Sequence, residues 1–175
     1  MKLKGLLAIF CIFALTSCAS YKINNHLEPC SLDSNQKVLI ALPKDGAYNS
    51  KIYVGSGNKT QEALHSAFSK YTDRITTVAV SKSLADIRKI AKQLGADILI
   101  YPTISHWEDR NTAWSGRKDH IEMEITVVSL KDNKTIDLSS LTANGSSMAW
   151  RNKTPDALLP KMFNKYVSKL YGNGN

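Results

Sequence analysis

The stretch ADILIYPTI, residues 96–104, is a mostly apolar run that decides how the rest of the chain is arranged. A short run of this kind is typical of a buried strand. Two earlier strands are predicted at KVLIALP, residues 37–43, and at ITTVAVS, residues 75–81. Each is followed by a segment with apolar residues at helical spacing. This alternation predicts right-handed crossovers and a sheet whose first strands are parallel.

The pattern changes after this third strand. HIEMEITVVSL, residues 120–130, alternates apolar and polar side chains, and KDNK joins it to TIDLSSLTANGSS, residues 135–147. The alternation predicts an antiparallel hairpin with one face in water. A last helix is predicted between the cap Thr154 and Gly172. The predicted fold class is a single α/β sandwich of order β-α-β-α-β-β-β-α. Its mixed sheet has parallel first strands and a C-terminal antiparallel hairpin, and helices pack on one or both faces.

The amino terminus has the composition of an export signal. Lys2 and Lys4 precede the apolar run GLLAIFCIFAL, residues 5–15, which is too short to cross a bilayer as a helix. Residues 1–17 are therefore predicted to be a signal peptide, and no later segment is apolar enough to span a membrane.

The run ends in LTSC, which resembles the bacterial lipobox. In lipoproteins of that type the Cys18 thiol receives a diacylglyceryl group, and cleavage before Cys18 exposes an amino group that is acylated. Several acyl chains give a stable anchor, whereas one binds only marginally. By resemblance to Gram-negative lipoproteins, Ala19 instead of Asp predicts the outer membrane, with the domain facing the periplasm. The alternative is an ordinary secreted protein with unmodified Cys18.

Residues 18–36 are predicted to be a lipidated tether, because they show no sustained periodicity and are rich in Asn, Ser and charge. Residues 37–175 are predicted to form one domain, since the 175-residue chain is too short for two ordinary domains after the signal. Cys30 would be the one free thiol of the mature chain, either inert in the tether or paired between chains.

Three stretches carry a family resemblance: ALPKDGAYNSKIYVGSG, YPTISHWEDRNTAWSG and LLPKMFNKYVSKLYG. They resemble the bacterial lipoproteins of the uncharacterised family called domain of unknown function 4823. The resemblance covers most of the mature chain and implies no activity. At the level of fold, the chain also resembles the amino-terminal domain of the Tol-system propeller protein, the curli-secretion lipoprotein and the lipoprotein activators of peptidoglycan synthases.

The loop SHWEDRNTAWSGRKDH, residues 105–120, is the best candidate for recognition of a partner. Trp and Arg are the residue types most enriched at binding hot spots. The candidate contact residues are Trp107, Arg110, Trp114 and Arg117. The alternative is that both indoles fold back onto the sheet as a small satellite core.

Two carboxylates carry the competing hypothesis of an envelope hydrolase. Glu122 and Glu124 are two residues apart on one strand and therefore share a face at about 7 Å. Glycosidases use paired carboxylates at such distances, but a half-solvated strand has the same alternation. We therefore expect no catalytic residues and no enzyme.

No cofactor or metal is expected from the sequence. GSGNKT, residues 55–60, lacks the adjacent Gly-Lys-Ser/Thr that a phosphate-binding Walker loop needs. Four side chains could in principle ligate a metal, but at no spacing typical of zinc sites: His106, Glu108, Asp109 and His120.

Lys161, Lys165 and Lys169 form a stripe at spacing four on the last helix, here called the lysine stripe. Such a stripe is typical either of a solvated helix face or of a helix lying on anionic lipid. The chain's net charge of +8 favours anionic lipid or cell-wall polymers over nucleic acid in a periplasmic setting.

The leading functional hypothesis is a non-enzymatic, membrane-anchored accessory or binding protein of the cell envelope, with a protein or peptidoglycan partner. The alternatives are the hydrolase and contact of the lysine stripe with anionic lipid.

Overall fold

The computed structural model describes four segments of the chain: residues 19–28, 30–110, 118–145 and 154–172. Several sequence predictions lie outside these segments, namely those for the signal peptide at 1–17, for Cys18, and for Trp114 and Arg117. All other candidate residues fall within them.

The described residues form eight strands: β1 (Ser20–Asn25), β2 (Val38–Ile40), β3 (Ala47–Tyr48), β4 (Lys51–Ile52), β5 (Ile75–Thr77), β6 (Ile98–Glu108), β7 (His120–Ser129) and β8 (Lys134–Asn144). Six of them form the main sheet in the order β1-β8-β7-β6-β2-β5, and β3 pairs with β4 in a separate two-stranded sheet. β2 is parallel to both β5 and β6, whereas β6, β7, β8 and β1 pair antiparallel. The predicted mixed sheet and its C-terminal hairpin are thus confirmed.

The helices follow the local signals of the sequence. They are α1 (Ser56–Phe68), α2 (Leu84–Gln93) and α3 (Leu159–Leu170). The Ser83 side chain caps α2 by accepting a hydrogen bond from the Asp86 backbone N–H. A 3₁₀ turn, Pro155–Leu158, precedes α3, so that Pro160 falls within the first turn of α3. Proline is tolerated there because the N–H groups of a first turn have no partner within the helix.

Helices lie on both faces of the sheet. α1 and α3 cover the face that we call the inner face, and α2 lies on the opposite, outer face, because alternate strand residues enter two separate cores. The inner core includes Val38, Ile40, Leu64, Phe68 and Phe163. The outer core includes Leu39, Leu99, Ile87 and Ala91. Along β7 and β1 the outer face stays open, since Lys22, Glu122 and Glu124 are exposed.

The predicted tether over residues 18–36 is wrong for most of its length. Residues 20–25 form the edge strand β1, which pairs with β8 from Ser20↔Asn144 to Asn25↔Ser139. Leu32 is also buried, and its backbone N–H donates to the Leu170 carbonyl at 2.7 Å. The folded domain therefore includes β1, upstream of residue 37, because Tyr21 and Ile23 pack against the inner core.

Candidate functional site

A group of charged side chains lies on the outer face where β6 ends and β7 begins. We call His106, Glu108, Arg110, His120 and Glu122 the His–Glu cluster. A register shift between Ile104 and His106 places His106 opposite Glu122 and Glu108 opposite His120. Because alternate strand residues share a face, these four side chains meet on the outer face.

Hydrogen bonds organise the His–Glu cluster. His106 Nε2 lies 3.2 Å from Glu108 Oε2, and His120 Nε2 lies 2.9 Å from Glu122 Oε1. His120 Nδ1 also contacts Asn144 Oδ1 at 2.7 Å. The two imidazole rings meet edge to face, with centroids 4.9 Å apart. The cluster is therefore a fixed arrangement of two His–carboxylate pairs rather than a set of independent surface charges.

Glu108 is the buried member of the cluster, with 4% of its surface exposed. Its carboxylate pairs with the Arg110 guanidinium at 2.5 Å. Hydrogen bonds from Arg110, and secondarily from His106, hold the pKa of Glu108 below its usual value despite burial. Arg110, which was predicted to contact a binding partner, thus forms an ion pair with Glu108 within the chain. About 30% of its side chain remains exposed.

Arg110 and Asp119, which lie on either side of residues 111–117 in the sequence, are joined by a hydrogen bond beside the cluster. The Arg110 backbone N–H donates to Asp119 Oδ1 at 2.9 Å. Burial raises the pKa of the Asp119 carboxyl, although this hydrogen bond acts in the opposite direction. The Gly145 N–H donates to the Asp119 carbonyl at 2.8 Å, which adds the end of β8 to the same corner.

Trp107 lies in the inner core rather than on a recognition surface. Only 3% of its surface is exposed, and it pairs across the sheet with Ile121. A Cβ on Gly46 would approach the Trp107 Cβ to 2.6 Å, so the backbone at Gly46 packs directly on this side chain. This burial removes Trp107 from the candidate contact residues and matches the alternative of an indole packed onto the sheet.

Glu122 and Glu124 are both exposed on the outer face of β7. Glu122 is paired with His120, whereas Glu124 lies opposite Ser140 of β8 and Thr103 of β6. The described residues contain no group of three or more His, Cys, Asp or Glu side chains placed to hold a metal ion.

The β3–β4 hairpin presents a feature that the sequence reasoning missed. Two apolar side chains, Ile52 at the end of β4 and Val54 two residues after it, are 63% and 89% exposed, and we call them the apolar pair. The hairpin is held in place because the Tyr48 ring packs on the His106 ring at 4.8 Å and the Asp109 N–H donates to the Tyr53 hydroxyl at 3.3 Å. A period-two apolar pattern in IYV is the one signal that the sequence offers for this hairpin.

The three residues of the lysine stripe are exposed on α3, as predicted. The stripe runs beside β1, with Lys161 Nζ 5.4 Å from the centre of the Tyr21 ring.

No helix in the described part of the chain has the length and hydropathy required to cross a bilayer.

A pocket of about 260 Å³ lies between β8 and the end of α3, and no sequence motif marked it. Its lining includes Asn25, Cys30, Asp137 and Tyr166. Asp137 is fully buried, and its Oδ2 accepts hydrogen bonds from the Tyr166 hydroxyl at 2.7 Å and the Ser139 hydroxyl at 2.9 Å. Burial, together with nearby Asp137, raises the pKa of the Cys30 thiol to about 11, which keeps the thiol protonated at neutral pH.

The chain is similar to three solved structures, and the two with TM-scores above 0.5 share its fold. PelC from Paraburkholderia phytofirmans, crystallised as a dodecamer, has a TM-score of 0.64 and 10% identity, and the match covers 87% of this chain and 97% of PelC. Protein XCC0632 from Xanthomonas campestris, of family DUF330, has a TM-score of 0.51 and 11% identity, with 86% and 90% covered. Lipoprotein GNA1162 from Neisseria meningitidis has a TM-score of 0.49 and 15% identity, with 77% and 97% covered. At these identities the likeness shows the fold alone.

No curated protein matches the chain. The profile of a family described as "Domain of unknown function (DUF4823)" matches residues 30–170. This range includes every element from β2 to α3, whereas β1 lies before it. The resemblance carried by the three quoted stretches is therefore confirmed, and the chain belongs to the DUF4823 family.

Proposed function

We propose that this protein is a lipid-anchored accessory protein of the bacterial outer membrane, which acts by binding an envelope protein and not by catalysis. The lipobox ending at Cys18 supports the anchor. The outer face that stays open along β7 and β1, with the His–Glu cluster at one end, carries the proposal of binding, because it is an extended charged surface on an otherwise helix-covered sheet.

The His–Glu cluster suits recognition because its side chains are already ordered. Arg110 and His106 are held by Glu108, and His120 is held between Glu122 and Asn144. Side chains fixed before binding lose less rotamer entropy when a partner docks. Charges at fixed positions also favour a partner of complementary charge and disfavour others.

The positions of Glu122 and Glu124 favour binding over hydrolysis. A glycosidase places its two carboxylates on either side of a bound sugar. Here both carboxylates lie on an exposed strand face, and Glu122 is already paired with His120. We therefore assign these residues to the binding surface.

A second copy of this chain is one partner to test. The fold is similar to that of PelC, which was crystallised as a dodecamer. If this chain also associates with itself, the open outer face is the surface on which a neighbouring copy would lie, since the inner face is covered by α1 and α3.

Photo-crosslinking in cells tests the proposal. A photoreactive residue is placed at Glu124 on the outer face, and at Glu62 on α1 as a matched control, because both positions are exposed glutamates. We expect discrete adducts from position 124 and none from 62, and we expect Arg110→Glu to weaken them.

The adduct identifies the partner. A mass that is a multiple of the chain's own mass indicates a second copy, and another discrete mass indicates a different envelope protein. Adducts that are absent at 124, equal at both positions, or sensitive to a peptidoglycan hydrolase contradict the proposed protein partner.

A further inference from the structure

One end of the main sheet contains Ser20, the first residue of β1, two residues after the proposed lipidated Cys18. Ser20, Asn144, His120 and Glu108 face one another in register across β1, β8, β7 and β6. Cys18 precedes Ser20 by two residues, so a lipid on Cys18 would be attached at this end, which we call the anchor end. The opposite end, where β6 begins at Ile98, is about 33 Å away for an 11-residue strand.

The most exposed apolar side chains of the described residues lie at the anchor end. The apolar pair, Ile52 and Val54, lies at the end of β4 and just after it. The β3–β4 hairpin and Tyr53 pack on His106 and Asp109, at the end of β6 or directly after it. Apolar side chains that are 63% and 89% exposed have no role in the core. They lie three strand spacings, about 14 Å, from β1 but at the same end of the sheet. Exposed apolar side chains at the lipid-anchored end of a domain are typical of a surface that enters the bilayer interface.

One lysine adjoins the apolar pair, and two lie at the start of β1. Lys22, Lys51 and Lys161 are exposed, and Lys161 lies beside Tyr21. Two nearby acids are engaged within the chain: Glu108 pairs with Arg110, and Asp45 accepts hydrogen bonds from the Gly55 and Gly57 N–H groups. Glu122, an exposed acid at the same end, lies 2.9 Å from His120 Nε2. None of the three lysines forms a salt bridge with another described residue, so they remain available for anionic headgroups.

We infer that the domain rests end-on on the membrane, with the apolar pair inserted at the headgroup level and the sheet standing away from the bilayer. This inference rests on the proposed lipid anchor at Cys18 and names the surface that the anchor holds against the lipid. The strand β1 leaves only Ala19 between Cys18 and the sheet, so the anchor allows little separation.

This end-on orientation differs from the one in which α3 lies on anionic lipid through the lysine stripe. Lys161 lies beside Tyr21 near the anchor end, whereas Lys169 lines the pocket that also contains Asn25 at the other end of β1. Eight helical residues separate these lysines by about 12 Å. The stripe therefore runs away from the anchor end, and α3 does not lie flat on the lipid in the inferred orientation.

Spin-label accessibility on the lipidated full chain tests the orientation. In a Cys30→Ala background, single cysteines replace Val54, Leu94 and Lys165 in turn, and each nitroxide label is measured in vesicles of phosphatidylethanolamine and phosphatidylglycerol. Leu94 is the matched control, since it is 53% exposed and follows α2 near the opposite end of the sheet. We expect the ratio of oxygen to nickel-chelate accessibility to be several-fold higher at 54 than at 94 or 165.

The outcomes separate this inference from the proposed function. Equal ratios at 54 and 94 overturn the end-on orientation, and a high ratio at 165 instead of 54 replaces it with α3 lying flat. Mass spectrometry of the same sample reports the modification at Cys18. An unmodified Cys18 contradicts the proposed anchor itself, whereas a lipidated chain with a water-exposed label at 54 contradicts only the orientation.

Discussion

Two buried carboxylates show how single residues contribute to the stability of this fold. Glu108 and Asp137 are both carboxylates with almost no exposed surface, and each is held by donors: Arg110 and His106 for Glu108, and Tyr166 and Ser139 for Asp137. Burying a carboxylate is unfavourable unless hydrogen bonds replace those of water. The stability of the fold should therefore depend on these donors.

Replacing Tyr166 by Phe should destabilise the protein by about 1–3 kcal/mol, because it removes a donor from a buried carboxylate. Tyr171→Phe is the matched control, since the Tyr171 hydroxyl is buried without a hydrogen-bond partner among the described residues. We expect this second substitution to be neutral or slightly stabilising. Urea denaturation measures both, and equal effects of the two substitutions would contradict the assigned role of Tyr166.

Glu108 should make stability depend on pH. Its pKa is lowered in the folded state, so its contribution is present above the unfolded pKa of about 4.3 and is lost as pH falls through the folded value. The wild type should therefore exceed Glu108→Gln in stability at pH 7, and the difference should shrink below about pH 4. Denaturation at both pH values checks this, and a difference that does not depend on pH would count against the role of the charge.

The residues of the His–Glu cluster could be named from the sequence, but their pairing could not. His106, Glu108 and His120 are recognisable as a charged group in one loop. Which of them face each other depends on the register shift after Ile104, for which the sequence has no local signal. Trp107 shows the same limit, since its burial depends on the distant backbone of Gly46.

At the scale of elements, local signals predicted the helices and the C-terminal hairpin but not β1. The cap at Ser83 and the alternation along β7 are contained within one element. In contrast, β1 has only Tyr21 and Ile23 as alternating apolar residues. The partner of Ser20 is 124 residues away along the chain, so the pairing that forms β1 has no local signature.

Substitutions in β1 distinguish a strand from a tether. Ile23→Ser should destabilise the domain by about 1–3 kcal/mol, because Ile23 packs on the inner core. Asn24→Ser, at the exposed neighbouring position, should change stability by less than about 0.5 kcal/mol. Thermal or urea unfolding measures the pair, and a tether would leave both variants as stable as the wild type.

At the scale of the whole molecule, the proposed membrane contact and the proposed binding surface meet at the His–Glu cluster. The anchor end is a row of strand ends, whereas the open outer face runs along the strands from that end. A domain standing on the membrane would leave the outer face accessible from the side. The outer face around Glu124 thus remains available to a partner, whereas Glu108 and His120 of the His–Glu cluster lie in the row nearest the bilayer.

The membrane to which the protein is delivered should depend on residue 19. By resemblance to Gram-negative lipoproteins, Ala19→Asp is expected to retain the protein in the inner membrane, and Ala19→Ser serves as the control that keeps the original location. Separation of inner and outer membranes on a density gradient reports the outcome. If both variants stay with the wild type in one fraction, the proposed sorting by this residue is contradicted.

The position of β1 at the edge of the sheet has a mechanical consequence. In an antiparallel pair the hydrogen bonds run perpendicular to the strands, so a pull on Cys18 along the axis of β1 loads the bonds from Ser20 to Asn25 together, in shear. A pull across the sheet would instead break them one at a time, as in peeling. When a partner on the outer face moves away from the bilayer, an upright domain directs the tension along β1, in the direction that this ladder resists best.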